Sequence, residues 1–156
     1  MLIIVAAIGK QGQLGLNKVM AWHNPEDLHF YKNLTLHQKV VFGRVTYENL
    51  PTTLPDREVY LVSKNPIEND RVHHISDFKK FCQDHQESDE VYYICGGETI
   101  YRQALPYANE FYLSMIDYNG PADTYFPEFT IHEFDVEIIN FETFELYHCK
   151  RKGQTR

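Results

Sequence analysis

In EVYYICGGETIY, residues Glu90 to Tyr101, the pattern changes character halfway. Glu90 to Cys95 is an apolar, β-rich run, Gly96-Gly97 ends it, and a helical pattern opens directly behind the glycines. A strand that feeds a helix through a glycine turn is the unit of a parallel α/β sheet, and it leaves the first helical amides uncovered, a ready place for an anion. VVFGRVT, Val40 to Thr46, has the same design: Gly43 lets backbone approach a ligand, Arg44 supplies positive charge, and Thr46 places a hydroxyl at a helix start. A further strand end, Ser63-Lys64, adds a hydroxyl and a cation. Together these ends predict a phosphate-rich dinucleotide at the carboxyl edge of a sheet.

Outward from these turns the alternation continues. Leu2 to Ile8 reads as a buried first strand, and a glycine-punctuated loop, Gly9 to Trp22, leads to a helix after Asn24. Strands follow at Lys39–Gly43, Glu58–Lys64, Arg71–Ile75 and Glu110–Asn119, with a short helix around Thr46–Leu50 and a helix in SDFKKFCQDHQ capped by Ser76. The final DVEIINFETFELYHCKRK splits into two β runs with a short link, an antiparallel hairpin. The expected architecture is one α/β domain over residues 1–156, a mostly parallel sheet between helices with the hairpin on one edge. GQTR at the end reads as a frayed tail.

Composition excludes several function classes. At 156 residues, 43% hydrophobic and 14% aromatic, the chain suits a single globular core. A net charge of -7 argues against general nucleic-acid or anionic-membrane binding, so a phosphate partner must meet a local pocket. Cys82, Cys95 and Cys149 are widely spaced and form neither a disulfide framework nor a zinc knuckle, which fits a reducing, cytoplasmic setting. The opening MLIIVAAIGKQG lacks a basic region before its apolar run and reads as a strand, not a signal peptide. No apolar run approaches the roughly 20 residues of a membrane span. There is no Walker A, GxSxG or HExxH; Gly9, Gly12 and Gly15 are spaced GxxGxxG in a loop; and His73 and His74, adjacent in a strand, face opposite ways. No metal site is read.

MAWHNPEDLHFYK, Met20 to Lys32, carries a carboxylate with two readings. Asn24 suits an N-cap, Pro25 the first helical position, and Glu26 and Asp27 the positive end of the helix dipole. Asp27 is therefore either a helix-terminal acid or a functional one, and only its surroundings decide.

The collected stretches resemble dihydrofolate reductase, collinearly from Leu2 to about Lys150: IVAAI, Leu14-Gly15, Met20-Ala21-Trp22, PEDL, VVFGRVTYENL, LPDR, LVSK, GGETIY and ADTYFP. The resemblance implies a single-domain sandwich with a central, mostly parallel eight-stranded sheet, a C-terminal antiparallel hairpin and about four flanking helices. It implies reduction of 7,8-dihydrofolate to 5,6,7,8-tetrahydrofolate with NADPH, hydride to C6 and proton to N5, by a cytoplasmic monomer open to antifolates such as methotrexate or trimethoprim. Asp27 is then the acid in the pterin pocket, with Trp22 and Ser114 supporting it and Tyr101 beside the hydride path. Val5, Ala6, Leu28, Tyr31, Leu50, Leu54, Arg57 and Ile94 face the substrate, Arg57 clamping the glutamate α-carboxylate. Ala7, Gly43, Arg44, Val45, Thr46, Val62, Cys95, Gly96, Gly97, Glu98, Thr99 and Ile100 face the cofactor. Arg44, Ser63 and Lys64 meet its 2′-phosphate, and Leu14, Gly15 and Met20 form the lid over nicotinamide. In the family the Gly-Gly bond is cis.

The chain departs from the family pattern at several points. Ala21 stands where Pro is usual, Val45 where a basic residue is frequent, Tyr31 where Phe or an aliphatic is common, Ser114 where Thr is usual, and Thr53 where Pro is frequent. None removes a catalytic group; they bear on lid dynamics, cofactor preference and antifolate fit. Two other readings are a riboflavin-pathway reductase of the same fold and a non-catalytic folate or nucleotide binder. The PEDL acid with the LPDR clamp counts against the first, and intact Asp27, Trp22 and glycine turns against the second.

Overall fold

The computed structural model describes residues 1–50 and 54–153. In chain order the elements are β1 (Leu2–Ile8), β2 (Gln13–Leu16), β3 (Val19–Met20), α1 (Pro25–Thr35), β4 (Lys39–Gly43), α2 (Arg44–Glu48), β5 (Glu58–Val62), β6 (Val72–Ile75), α3 (Phe78–His85), β7 (Tyr92–Ile94), α4 (Glu98–Ala104), β8 (Glu110–Ile116), β9 (Thr124–Tyr125), β10 (Phe134–Asn140) and β11 (Phe144–Arg151). An eight-stranded sheet runs β10-β11-β8-β1-β7-β4-β5-β6. From β8 to β6 every pairing is parallel, and β11 with β10 adds the antiparallel hairpin at one edge. The expected sheet, edge hairpin and flanking helices are present.

The strand alternation divides the core between two faces. Leu2, Ile4, Ala6 and Ile8 of β1 join Ile94, Phe111, Phe78, Cys82, Ile100 and Tyr101 beneath α3 and α4. On the other face Val40, Phe42, Val59, Leu61 and Cys95 pack with Tyr31, Tyr47, Leu50 and Leu54, while Ala7 packs with Trp22, Phe30 and Ile116. The carboxyl ends of β1, β4 and β7 meet in the middle of the sheet, because β7 returns between strands that precede it in the chain. Such a reversal leaves a crevice above the strand ends.

Three sequence expectations need correction. The stretch Gly9–Trp22 is not only a loop: β2 and β3 pair there, and β2 pairs with β9 to make a second, three-stranded sheet. The partner strand lies far away in sequence, so no local signal announced it. The cap of α3 is Asp77, whose carboxylate accepts from the Lys80 amide at 3.1 Å, not Ser76. Both residue types cap well, and the geometry is decided by where the chain leaves β6. The element bounds also move: β8 stops at Ile116, and α2 begins two residues earlier, at Arg44. Thr53 and the last three residues of the GQTR tail lie outside the described residues.

Phe111 sits fully buried in β8, with the rings of Phe134, Phe129 and Phe126 at 4.6, 5.2 and 6.3 Å. Phe111→Ala is expected to cost about 3–5 kcal/mol, read as a lowered urea midpoint at unchanged slope. A loss below about 1 kcal/mol would show that this aromatic cluster repacks without consequence.

Candidate active site

The site is laid out along α1. Asn24 Oδ1 accepts from the Asp27 amide at 3.0 Å, so the helix start is capped as its sequence predicts. The two acids of the first turn then diverge. Glu26 faces outward and accepts from the Thr143 amide at 2.8 Å and the Thr143 hydroxyl at 2.6 Å, in the turn between β10 and β11. Hydrogen bonding from Thr143 lowers its pKa. Asp27 faces the sheet, 6% exposed, and the Ser114 hydroxyl donates to it. Burial raises its carboxyl above its usual value, and the Ser114 bond offsets part of that.

Three neighbours complete this end. Ser114 pairs with Ala7 across β8 and β1, and Ala7 packs in the same cluster as Trp22. Trp22 leans on Tyr118 at 5.3 Å between ring centroids, and its Nε1 is buried with no partner among the described residues. The Tyr101 hydroxyl donates to the Val5 carbonyl at 2.7 Å. Burial first, then proximity to Cys95 and Asp27, holds that phenol well above its usual range. It stays protonated and fixes the β1 backbone beside the acid.

Farther along α1, Tyr31 and Thr35 follow Asp27 at one-turn intervals on the same face, each step about 6 Å along the axis. Tyr31's hydroxyl donates to the Cys95 thiol, which burial pushes up to about 12 and so keeps protonated. Leu50 and Leu54 pack in this cluster. Thr35 is fully buried; its hydroxyl donates to the Tyr31 carbonyl at 2.9 Å and accepts from Arg57 Nε at 3.3 Å. Arg57 also donates through Nη1 to the Pro55 carbonyl at 2.6 Å and through Nη2 to the Lys32 carbonyl. A guanidinium has five N–H groups in a fixed fork, so one remains on each Nη, as a carboxylate requires. The face of α1 thus runs from a buried acid, past an aromatic wall, to a fixed cation.

The two glycine turns lie back to back. The Gly43 amide donates to the Gly96 carbonyl at 2.8 Å, and the Gly96-Gly97 bond is cis. A Cβ on Gly97 would stand 2.7 Å from Thr46 Oγ1, and one on Gly43 would stand 3.1 Å from Ile100 Cγ1. Only bare backbone fits there, so the ledge over both turns is lined by main chain. Around it, Thr99, Arg44, Val45 and Lys64 are exposed and Val62 and Ser63 half-buried. Arg44 Nη1 meets both carboxylate oxygens of Glu48 at 3.0 Å. Glu98 turns away from the ledge, accepting from the Tyr125 amide at 2.5 Å and pairing with Arg102 at 3.5 Å. The β2–β3 turn is tied down by Asp123, whose carboxylate accepts from the Asn17 amide at 2.9 Å and whose own amide donates to the Gly15 carbonyl at 2.9 Å. Leu14 packs on the core, whereas Met20 is largely exposed.

Two neighbouring site candidates lie on opposite faces of the sheet. Ile94, expected to face the substrate, is fully buried on the α3 and α4 side. Cys95, expected on the cofactor side, is the residue that meets Tyr31 in the cleft. Ile94 ends β7 and Cys95 follows it, so alternation puts the two neighbours on opposite faces. Val5, Ala6 and Ala7 bring β1 backbone to the cleft, and Leu28 is half-buried beside Asp27. Thr35, Glu48 and Asp123 were not anticipated. Thr35 was findable as a polar residue two turns after Asp27, and Glu48 as an acid one turn after Arg44; Asp123 had no local signal.

Comparison with known proteins bears on the family and the fold. The family model for dihydrofolate reductase matches residues 1–145. Dihydrofolate reductase of Buchnera aphidicola from Schizaphis graminum is 33% identical over 143 residues, 91% of this chain and 88% of that protein. The Mycoplasma genitalium enzyme is 29% identical over 161 aligned positions, covering 99% of this chain and all of its own. A solved structure, dihydrofolate reductase from Enterococcus faecalis complexed with NADP(H) and RAB-propyl, superposes with a TM-score of 0.84 at 25% identity, covering 97% of this chain and 96% of that one.

The raised pKa of Asp27 sets the sign of a pH effect. The folded protein keeps this proton at pH values where the unfolded chain has released it, so stability falls as pH rises between the two pKa values and is lowest above the folded one. Asp27→Asn is expected to be more stable than the native chain at neutral pH, the gap closing below about pH 4. Urea titrations across pH check this; equal stabilities at neutral pH would mean that the carboxylate is not desolvated.

Proposed function

We infer the chemistry of this chain from the dihydrofolate reductase family, to which it belongs: it reduces 7,8-dihydrofolate to 5,6,7,8-tetrahydrofolate with NADPH. The observation that carries the residue assignment is the buried Asp27, held by Ser114 above a groove that ends at the anchored Arg57. Asp27 hydrogen-bonds the pterin at N3 and the 2-amino group, fixing the ring and favouring a proton at N5. Desolvation strengthens both effects, because a carboxyl out of water interacts more strongly with its partner. Ser114 keeps Asp27 aimed into the groove. Trp22 turns a buried N–H toward the same end, where it suits an ordered water.

NADPH, when bound, supplies the hydride delivered to C6. The bare backbone ledge of Gly43, Gly96 and Gly97 with the Thr46 hydroxyl fits its diphosphate, since any Cβ at Gly97 would occupy that space. Arg44, Ser63 and Lys64 stand at the 2′-phosphate end, with Val45, Val62, Thr99 and Ile100 around them. Tyr101 and the backbone of Val5, Ala6 and Ala7 position the two rings against each other. Leu14, Gly15 and Met20 close over the site and limit water. Leu28, Tyr31, Leu50, Leu54 and Cys95 line the body of the folate, and Arg57 clamps its α-carboxylate. Antifolates such as methotrexate and trimethoprim compete for this groove. The reading places the protein in the cytoplasm as a single-domain monomer over residues 1–156 that binds neither nucleic acid nor membrane. Its charge of -7 supports that reading, as does the fact that no helix among the described residues is long and apolar enough to cross a membrane.

Near-ultraviolet absorbance of the protein with dihydrofolate and NADPH tests the activity, and methotrexate should abolish the decay. Asp27→Asn keeps the shape and removes the charge, and is expected to cut turnover by about 10² or more. Near-normal turnover at neutral pH would remove the role given to Asp27. Arg57→Ala is expected to raise KM for dihydrofolate by about tenfold or more while leaving that for NADPH unchanged. Equal losses for both would put the clamp elsewhere.

A further inference from the structure

We propose that Glu48 sets how strongly this chain distinguishes NADPH from NADH, by competing with the cofactor's 2′-phosphate for Arg44. The proposal rests on the assignment of the adenosine end to Arg44, Ser63 and Lys64. Arg44 opens α2 and Glu48 closes it, one turn apart, so their side chains share a face of the helix. Arg44 Nη1 reaches both Glu48 oxygens at 3.0 Å, which directs its charge along the helix. Both side chains are about half exposed, 50% and 55%, so the pair lies where a ribose phosphate arrives from solvent.

An exposed pair of this kind is weak, and an incoming phosphate opens it. The carboxylate does not leave, however, because it is fixed to the same turn. It stays within reach of the guanidinium and keeps drawing it along the helix, which subtracts from the attraction that Arg44 gives the phosphate. Toward NADH the same carboxylate acts in the opposite sense: a ribose without a phosphate offers hydroxyls, and an acid at this place accepts hydrogen bonds from them. Val45 adds no compensating charge on α2, although it is exposed and adjacent to Arg44. His74 directs Nε2 at the Ser63 carbonyl, 2.6 Å away, and is engaged with backbone. Arg44 and Lys64 are therefore the cations of this ledge, and Glu48 opposes one of them directly. Glu48 weakens NADPH and supports NADH at once.

Equilibrium binding separates this effect from turnover. Calorimetric titration of adenosine 2′,5′-bisphosphate and adenosine 5′-monophosphate isolates the 2′-phosphate, and NADPH and NADH extend the comparison to whole cofactors. The proteins are the native chain, Glu48→Gln, Arg44→Gln and the double variant, each checked for an unchanged urea midpoint. Glu48→Gln is expected to tighten the bisphosphate by about fivefold, to weaken the monophosphate, and to move the NADPH-to-NADH ratio of Kd by at least the first factor. In the Arg44→Gln background the gain should vanish, because the two residues act as one pair. Equal changes for both nucleotides, no change, or a gain that persists without Arg44 would overturn the proposal while leaving the cofactor site in place. If the native chain binds neither the bisphosphate nor NADPH, the cofactor site itself is misplaced and the proposal falls with it.

Discussion

β1 has no polar face. Lying between β7 and β8 with almost every side chain buried, it must be covered on both sides, and the helices divide accordingly. This requirement brings α1 down over the side of the sheet that carries Ala7 and Ser114, and so takes Asp27 out of water. The helix start illustrates how position alone separates two similar residues. Glu26 and Asp27 are adjacent acids in one turn, yet hydrogen bonds from Thr143 lower the first and burial raises the second. The helix dipole favours negative charge at both, so it does not account for the difference. Exposure to the hairpin turn on one side and to the sheet on the other does.

The second constraint is the contact between the two glycine turns. Because β7 returns between β1 and β4, the turns after β4 and β7 become neighbours, and Gly43 donates directly to Gly96. Side chains are excluded from the contact by Thr46 and Ile100, so the surface above it is a run of main-chain groups. Main chain presents its dipoles at fixed positions and has little entropy left to lose, which suits a ligand whose phosphates are the same whatever the substrate. The variable recognition is left to side chains at the ends of the groove.

Much of this was legible in the sequence, and the reasons for the rest are local. Strands and glycine turns announced themselves because burial on both faces leaves continuous apolar runs, and because a strand-to-helix turn needs glycine. The cap by Asn24 was readable from Asn-Pro-Glu-Asp. The three-stranded sheet was not, since β2 and β3 are short and contain Gly15, and their third strand, β9, is supplied from a distant part of the chain. The sides taken by Ile94 and Cys95 were hidden for a different reason. In a strand buried on both faces, apolar character no longer marks which side a residue faces, and the phase has to come from packing. Thr35 and Glu48 show the converse: each lies at helical spacing from a residue already singled out, so geometry implicit in the sequence identified them only once the anchor was known.

The three charged groups proposed to read the ligand differ in burial, and this orders how each end behaves. Asp27 is desolvated, with Ser114 as a fixed partner, so its interactions are strong and scarcely screened by salt. Arg57 is half-buried and pinned by Thr35, Pro55 and Lys32, which fixes its direction before a ligand arrives. Arg44 is exposed and shares its charge with Glu48, so solvent screens it and a neighbouring acid moderates it. Two of the departures from the family pattern follow the same gradient. Ser114 in place of Thr keeps the hydroxyl that the buried acid requires, whereas Val45 gives up a charge at the exposed end. Where a charge is buried, losing its partner leaves an uncompensated group in low dielectric, and substitution is confined to residues that keep the hydrogen bond. Where it is exposed, water makes up most of the loss, and the position is free to set degree instead of kind.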